Sequence, residues 1–236
     1  TFNRVTFIGF GLINSSLARV FKSKSLAKEI CAYSRRKETL LKIKDLDIAD
    51  YIYDDIKKSV ENSDLIILGV PVGAMTSLVK EFASSLKKGA IVTDVGSIKK
   101  SILDSISLEL PNGIHFVPGH PIAGTENSGP EAGFEDLFKG RWCILTPNEN
   151  TSKEAIEKVE YIWQQAGMKV TIMDAEYHDR VLAITSHIPH LVAYSIVGTV
   201  TDLEDQLKTE VIKYSAGGFR DFTRIAASDP VMWRDV

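Results

Sequence analysis

The sequence is short of several things, and each shortage removes a class of protein. Only two cysteines occur in 236 residues, Cys31 and Cys143, each inside an apolar, strand-like run. That is too few for a disulfide scaffold, so both read as buried free thiols in a reducing, cytoplasmic compartment. There is no basic excess: 28 Lys and Arg against 31 Asp and Glu leave a net charge of −3. Neither nucleic acid nor a membrane surface is the expected partner, although a local basic pocket fits within that balance. No uninterrupted apolar run is read as long enough to span a membrane, and no signal peptide is expected at the start. Internal repeats and low-complexity segments are also missing. The chain opens on Thr1 and stops abruptly at Trp233-Arg234-Asp235-Val236, which sets the expectation of trimming at both ends. What remains is ordinary globular material, 44% hydrophobic and 25% charged, with length for one large domain or two smaller ones.

Residues 5–8, Val-Thr-Phe-Ile, form a β-branched and aromatic run that reads as a strand. It enters Gly9-Phe10-Gly11-Leu12-Ile13-Asn14, and residues 15–21 then read as a helix with Leu17, Val20 and Phe21 on its apolar side. Strand, glycine turn and helix in that order are the context a dinucleotide fingerprint requires. Gly9 permits the tight turn, and Gly11 lets backbone approach a pyrophosphate seated on the helix N-terminus beside Leu12 and Ile13. Asn14 stands where a third small residue usually allows close helix–strand packing, a departure that weakens the motif. A second strand over 29–33 ends in Ser34-Arg35-Arg36. A carboxylate at that point would bind the ribose of NAD, whereas a hydroxyl and two guanidiniums suit a 2′-phosphate. The expected cofactor is therefore NADP, with use of NAD as the alternative.

Strand and helix keep alternating. Residues 64–71 are an almost continuous apolar run, 73–86 a helix, 90–94 a buried strand and 97–108 a helix. Alternation of this kind means an α/β fold with a doubly wound parallel sheet. The loops Val70-Pro71-Val72-Gly73 and Asp94-Val95-Gly96-Ser97-Ile98-Lys99 then fall at its ligand-binding edge, with capping of a helix by Ser97 and simple exposure of Lys99 as the structural alternatives to a role there. Near the middle comes Pro118-Gly119-His120-Pro121-Ile122-Ala123-Gly124-Thr125-Glu126, poor core material at the end of a short apolar run. It reads as a loop carrying reactive groups. Strands over 141–147 and 169–173, with a helix between, complete a first domain of residues 1–174.

Residues 175–236 read as all helix. The stretch 176–200 is apolar around much of its circumference, which fits a helix in a core or a subunit seam. Within it, His187 and His190 share a face, and Pro189 is expected to kink the helix. No third ligand has convincing spacing, so no metal site is expected. A second helix over 202–215 reads as closed by Gly217-Gly218, and Asp229-Pro230 as the start of another.

Five of these stretches, in order along nearly the whole chain, resemble the prephenate/arogenate dehydrogenase family. They are Gly9-Phe10-Gly11-Leu12-Ile13, Asp94-Val95-Gly96-Ser97-Ile98-Lys99, Gly119-His120-Pro121-Ile122-Ala123-Gly124-Thr125-Glu126, Ser186-His187-Ile188-Pro189-His190 and Gly218-Phe219-Arg220-Asp221-Phe222-Thr223-Arg224-Ile225-Ala226. The resemblance implies a Rossmann-type domain followed by a helical substrate and dimerisation domain cut short at its C-terminus. It implies oxidative decarboxylation of prephenate to 4-hydroxyphenylpyruvate with hydride transfer to NAD(P), in tyrosine biosynthesis. Arogenate to tyrosine, or dual use, is the alternative. It further implies that His120 is catalytic and Ser97 orients it. Arg224 would bind a substrate carboxylate, His190 and Thr125 would line the pocket, and Trp233 would approach a neighbouring site in a homodimer. A hydroxyacid or imine reductase shares the two-domain plan, but the His-Pro loop and the absence of Lys from 175–200 argue against it.

Overall fold

The computed structural model describes residues 1–125, 127–203 and 205–227, which divide into two compact units, Thr1–His178 and the remainder from Asp179. In the first unit, six parallel strands form one sheet in the order β3-β2-β1-β4-β5-β6. They are β1 (Phe2–Ile8), β2 (Ala27–Tyr33), β3 (Tyr51–Tyr53), β4 (Leu65–Leu68), β5 (Ile91–Asp94) and β6 (His115–Val117). The helices α1 (Leu12–Ser23), α2 (Lys37–Asp45), α3 (Ile56–Val60), α4 (Val72–Phe82) and α5 (Lys100–Glu109) connect them. The order reverses between β1 and β4, which opens a crevice at the carboxyl ends of those two strands.

The sheet is covered on both faces, so its central strands are apolar throughout. Neighbouring residues of β1 serve opposite sides: Phe7 packs with Leu17 and Phe21, Ile8 with Met75, Val79 and Phe82. The Phe7 and Phe21 rings meet edge to face with centroids 5.4 Å apart. Truncating a fully buried ring such as Phe7 would cost about 3–5 kcal/mol.

The later strands do not extend this sheet. Gly119–Pro121, read from sequence as loop, is a short strand β7 paired antiparallel with β8 (Trp142–Leu145), His120 opposite Ile144. Strand β9 (Lys169–Ile172) adds to β8 in parallel, giving a separate three-stranded sheet. Between them, α6 (Lys153–Gln165) buries Val159, Ile162 and Trp163 against the Phe7 side of the core.

The second unit is helical. A run over Ala175–Thr201 comprises α7 (Ala175–Leu182), one π-helical turn (Ala183–His187) and α8 (Ile188–Thr201). The wide turn sits directly before Pro189, where a helix must absorb a missing N–H. This run is long and apolar enough to cross a membrane by length and composition, contrary to the expectation that none would be. Helix α9 (Asp205–Lys213) follows, then α10 (Gly217–Thr223). Gly217 and Gly218 thus open a helix and do not close one, and neither adopts the positive φ of a glycine C-cap. Among the described residues after His178, only Leu182 and Ala193 are buried, while Ile184, Ile188, Leu191, Ile212 and Tyr214 are exposed. The expected Asp229-Pro230 helix start lies outside the described residues.

Candidate active site

The first component is the turn between β1 and α1. Gly9 has φ +80°, and a side chain there would strike Val70 Cγ1 at 2.7 Å and the Gly69 carbonyl oxygen at 2.8 Å. Gly11 faces open space, with nothing within 4 Å of a Cβ placed on it. Helix α1 then starts without a side-chain cap and without an acidic residue in its first turn. Leu12 and Ile13 occupy that turn. An uncapped helix N-terminus over open space fits the pyrophosphate of a dinucleotide, with a favourable dipole term of roughly 0.3–1 kcal/mol.

Asn14 does not loosen this turn. Its side chain is buried, and Nδ2 donates to the Gly9 carbonyl at 2.8 Å and to those of Ile8 and Ile67 at 3.3 Å. It ties α1 to β1 and β4 together. The room comes from Gly69, where any Cβ would collide with the Asn14 carboxamide. Small and large residues have exchanged places across the same contact. At the end of β2, Ser34 is half-buried and accepts from the Arg36 backbone N–H at 3.2 Å. Arg35 and Arg36 are exposed and form no ion pair among the described residues. Two exposed guanidiniums outside any ion pair among the described residues fit a 2′-phosphate. Val70 is half-buried and Pro71 exposed in the loop that starts α4, beside Gly9.

The second component surrounds His120. Asp94 ends β5, and its carboxylate accepts from the Gly96 N–H at 2.7 Å and the Gly119 N–H at 3.2 Å. Lys99 is fully buried, pairs with Asp94, and donates to the Gly119 carbonyl at 3.0 Å. The exposed alternative for Lys99 does not hold; burying it requires the carboxylate that Asp94 supplies. Both backbone polar groups of Gly119 are therefore held by one buried ion pair. A Cβ on Gly119 would lie 3.1 Å from the Asp94 carbonyl oxygen, so a larger residue would press that backbone by a few tenths of an ångström. His120 is half-buried on the next step of β7, with its Nδ1 2.9 Å from Nε2 of His178. Ser97 lies half-buried before α5, which starts at Lys100, so it caps no helix; nor does it hydrogen-bond His120 among the described contacts.

Both cysteines are free and buried, and burial pushes their thiols up: Cys31 to about 11, Cys143 well above its ordinary value despite nearby Lys99. Neither is a reactive thiolate at neutral pH. Thr125 is exposed, and its hydroxyl accepts from the Asn127 N–H at 3.3 Å. In the second unit, His190 donates from Nδ1 to the Ser186 carbonyl at 2.9 Å, so that nitrogen carries the proton. Arg224 is exposed at the end of α10. No group of three or more potential metal ligands occurs among the described residues. Trp233 lies outside them.

The structure brings the glycine turn, Val70-Pro71, the Asp94–Lys99 loop and His120 to the carboxyl ends of the parallel strands, where such sheets bind ligands. Residues 17–172 match the family model described as prephenate dehydrogenase, nucleotide-binding domain, and 174–236 the model for its dimerization domain. The chain belongs to the prephenate dehydrogenase family. It is 42% identical over 235 residues to a cyclohexadienyl dehydrogenase of Zymomonas mobilis, covering all of this chain and 80% of that protein. It is 35% identical to a prephenate dehydrogenase of Bacillus subtilis, covering 98% of this chain but 62% of the relative, less than two thirds of its length. Among solved structures, Aquifex aeolicus prephenate dehydrogenase in complex with hydroxyphenyl propionate and NAD+ superposes with TM-score 0.91 at 35% identity, covering all of this chain and 82% of that one. Synechocystis arogenate dehydrogenase superposes with TM-score 0.81 at 26% identity, covering 98% and 81%. Sequence reasoning passed over two residues that the structure places beside His120 and Gly119. His178 stands among Glu176, Tyr177, Asp179 and Arg180, and that polar company hides a buried residue. Lys99 stands five residues after Asp94, and that carboxylate close by in sequence was the available signal.

Proposed function

We propose that the chain oxidatively decarboxylates prephenate to 4-hydroxyphenylpyruvate, with NAD(P) as hydride acceptor. The observation that carries this reading is His120, held at the carboxyl edge of a nucleotide-binding sheet by the Asp94–Lys99 pair and His178. A dinucleotide whose pyrophosphate is held at the glycine turn would supply its nicotinamide as the hydride acceptor. Nε2 of His120 takes the proton of the ring hydroxyl as that carbon becomes carbonyl-like. Loss of CO2 from the opposite ring carbon leaves a phenolate, to which His120 returns the proton. Aromatisation drives the sequence. On the family's pattern Ser97 orients His120, Arg224 provides a permanent charge for a substrate carboxylate, His190 and Thr125 contact the substrate, and Trp233 approaches the site of a neighbouring copy.

Arogenate is the second substrate reading, favoured by the likeness to a cyclohexadienyl dehydrogenase and to an arogenate dehydrogenase. Ser34, Arg35 and Arg36 support NADP as the preferred cofactor. The match to a dimerization domain and the exposed apolar residues of α8 support a homodimer. A four-way rate assay with prephenate or arogenate and NAD or NADP tests the reading, with His120→Asn as the impaired control, lower by roughly a hundredfold as expected for a lost general base. Absence of turnover in all four combinations would refute it.

A further inference from the structure

We infer that His178 is a positioning residue that holds His120 in the tautomer able to act as a base. This rests on the reading of His120 just given. His178 is fully buried in α7, and its Nε2 lies 2.9 Å from Nδ1 of His120, the two rings inclined at 65° with centroids 5.1 Å apart. A bond between two neutral imidazoles needs one N–H and one lone pair. If His120 donates from Nδ1, its Nε2 keeps a lone pair and can take a substrate proton. If His120 accepts at Nδ1, its Nε2 carries hydrogen and can only donate. The base assignment therefore requires Nδ1–H of His120 to point at an unprotonated Nε2 of His178.

The main chain of His120 is fixed by its pairing across Ile144 and by the grip of Asp94 and Lys99 on Gly119. What backbone anchoring does not choose is which ring nitrogen bears the proton. His178 chooses it, and it does so without adding a charge. When His120 receives a proton on Nε2, its Nδ1–H becomes part of a cation, and a charge-assisted bond is roughly twice as strong as a neutral one. The contact is thus tighter in the state reached during reaction than in the resting one, the condition for an interaction to raise turnover.

The test compares the full chain with its His178→Leu and His178→Gln variants. Leu fills the space and accepts no hydrogen bond, while the Gln side-chain oxygen accepts one. With prephenate and saturating NADP or NAD, His178→Leu is expected to lower kcat about tenfold or more with KM and cofactor affinity within about twofold, and His178→Gln to recover most of the loss. Nitrogen-15 NMR of histidine-labelled protein reads the tautomer without turnover. In the unmodified chain His120 should show a protonated Nδ1 and an unprotonated Nε2, and His178→Leu should lose that bias. His120 found protonated at Nε2 would overturn the inference. So would His178→Leu at full kcat, or His178→Gln falling as far as His178→Leu with the tautomer unchanged. Should His178→Leu not fold, His178→Gln and the spectrum of the unmodified chain still decide. An unmodified chain with the expected tautomer but no dehydrogenation would instead count against the proposed function.

Discussion

Lys99 donates from Nζ to the carbonyl oxygen of Gly119 at 3.0 Å, one residue before the histidine proposed as base, and does so with no solvent exposure. The bond joins the loop after β5 to the second, smaller sheet. Replacing Lys99 with Met should leave the buried Asp94 carboxylate without its counter-ion, at a cost of about 3–5 kcal/mol in urea unfolding. Lys99→Met combined with Asp94→Asn should cost clearly less than the two single changes added together. Additive costs would mean that the pair is not energetically coupled.

The exchange between Asn14 and Gly69 makes a second expectation. Gly69→Ala places a methyl group against the Asn14 carboxamide and should destabilise the protein by about 1–3 kcal/mol, the usual range for overpacking. Adding Asn14→Ala should remove most of the clash, so the double variant should show a favourable coupling by chemical denaturation. A Gly69→Ala protein as stable as the parent would show that Asn14 has somewhere else to go.

Cofactor choice turns on the end of β2. Arg35→Ala with Arg36→Ala should raise the KM for NADP by roughly tenfold or more, since each charge-assisted bond lost is worth about 1.5 kcal/mol or more. The KM for NAD should move little. Equal effects on the two cofactors would place neither arginine at a 2′-phosphate.

The alkaline limb of stability should carry the mark of Cys31. Burial raises this thiol to about 11 from an ordinary value of 9.0. The folded protein then keeps a proton that the unfolded chain gives up, so stability falls as pH climbs from about 9 and levels off above about 11. In Cys31→Ala that part of the slope should disappear, leaving other groups to titrate as before. Parallel stability curves for the two proteins between those pH values would contradict it.

The first part of the fold was legible because its signals are local. The Val5-to-Asn14 stretch carries strand, glycine turn and helix in adjacent residues, and the parallel strands declare themselves as unbroken apolar runs. The reactive segment was placed but its form was not. Gly119–Pro121 is too short for any alternation, and two flanking prolines argue for loop until β8 arrives to pair with it. Lys99 and His178 were misread or passed over for a shared reason: charged or polar side chains default to solvent, and only a partner far along the chain reverses that. Gly217-Gly218 failed differently, because glycine interrupts one helix and precedes another with equal ease. The apolar helix, read over 176–200, spans Ala175–Thr201, and what the sequence did not show is the π-helical turn Ala183–His187 by which the backbone passes Pro189.

Two interior side chains among the described residues, Leu182 and Ala193, are little for a helical unit whose exposed faces carry Ile184, Leu191 and Ile212. Such a unit draws its cohesion from whatever covers those faces, and if a second copy of the chain does so, cohesion obeys mass action. Dilution then acts on it as a denaturant would. The first unit, with its closed core, should hold its melting temperature across protein concentrations at which the second steadily loses its own.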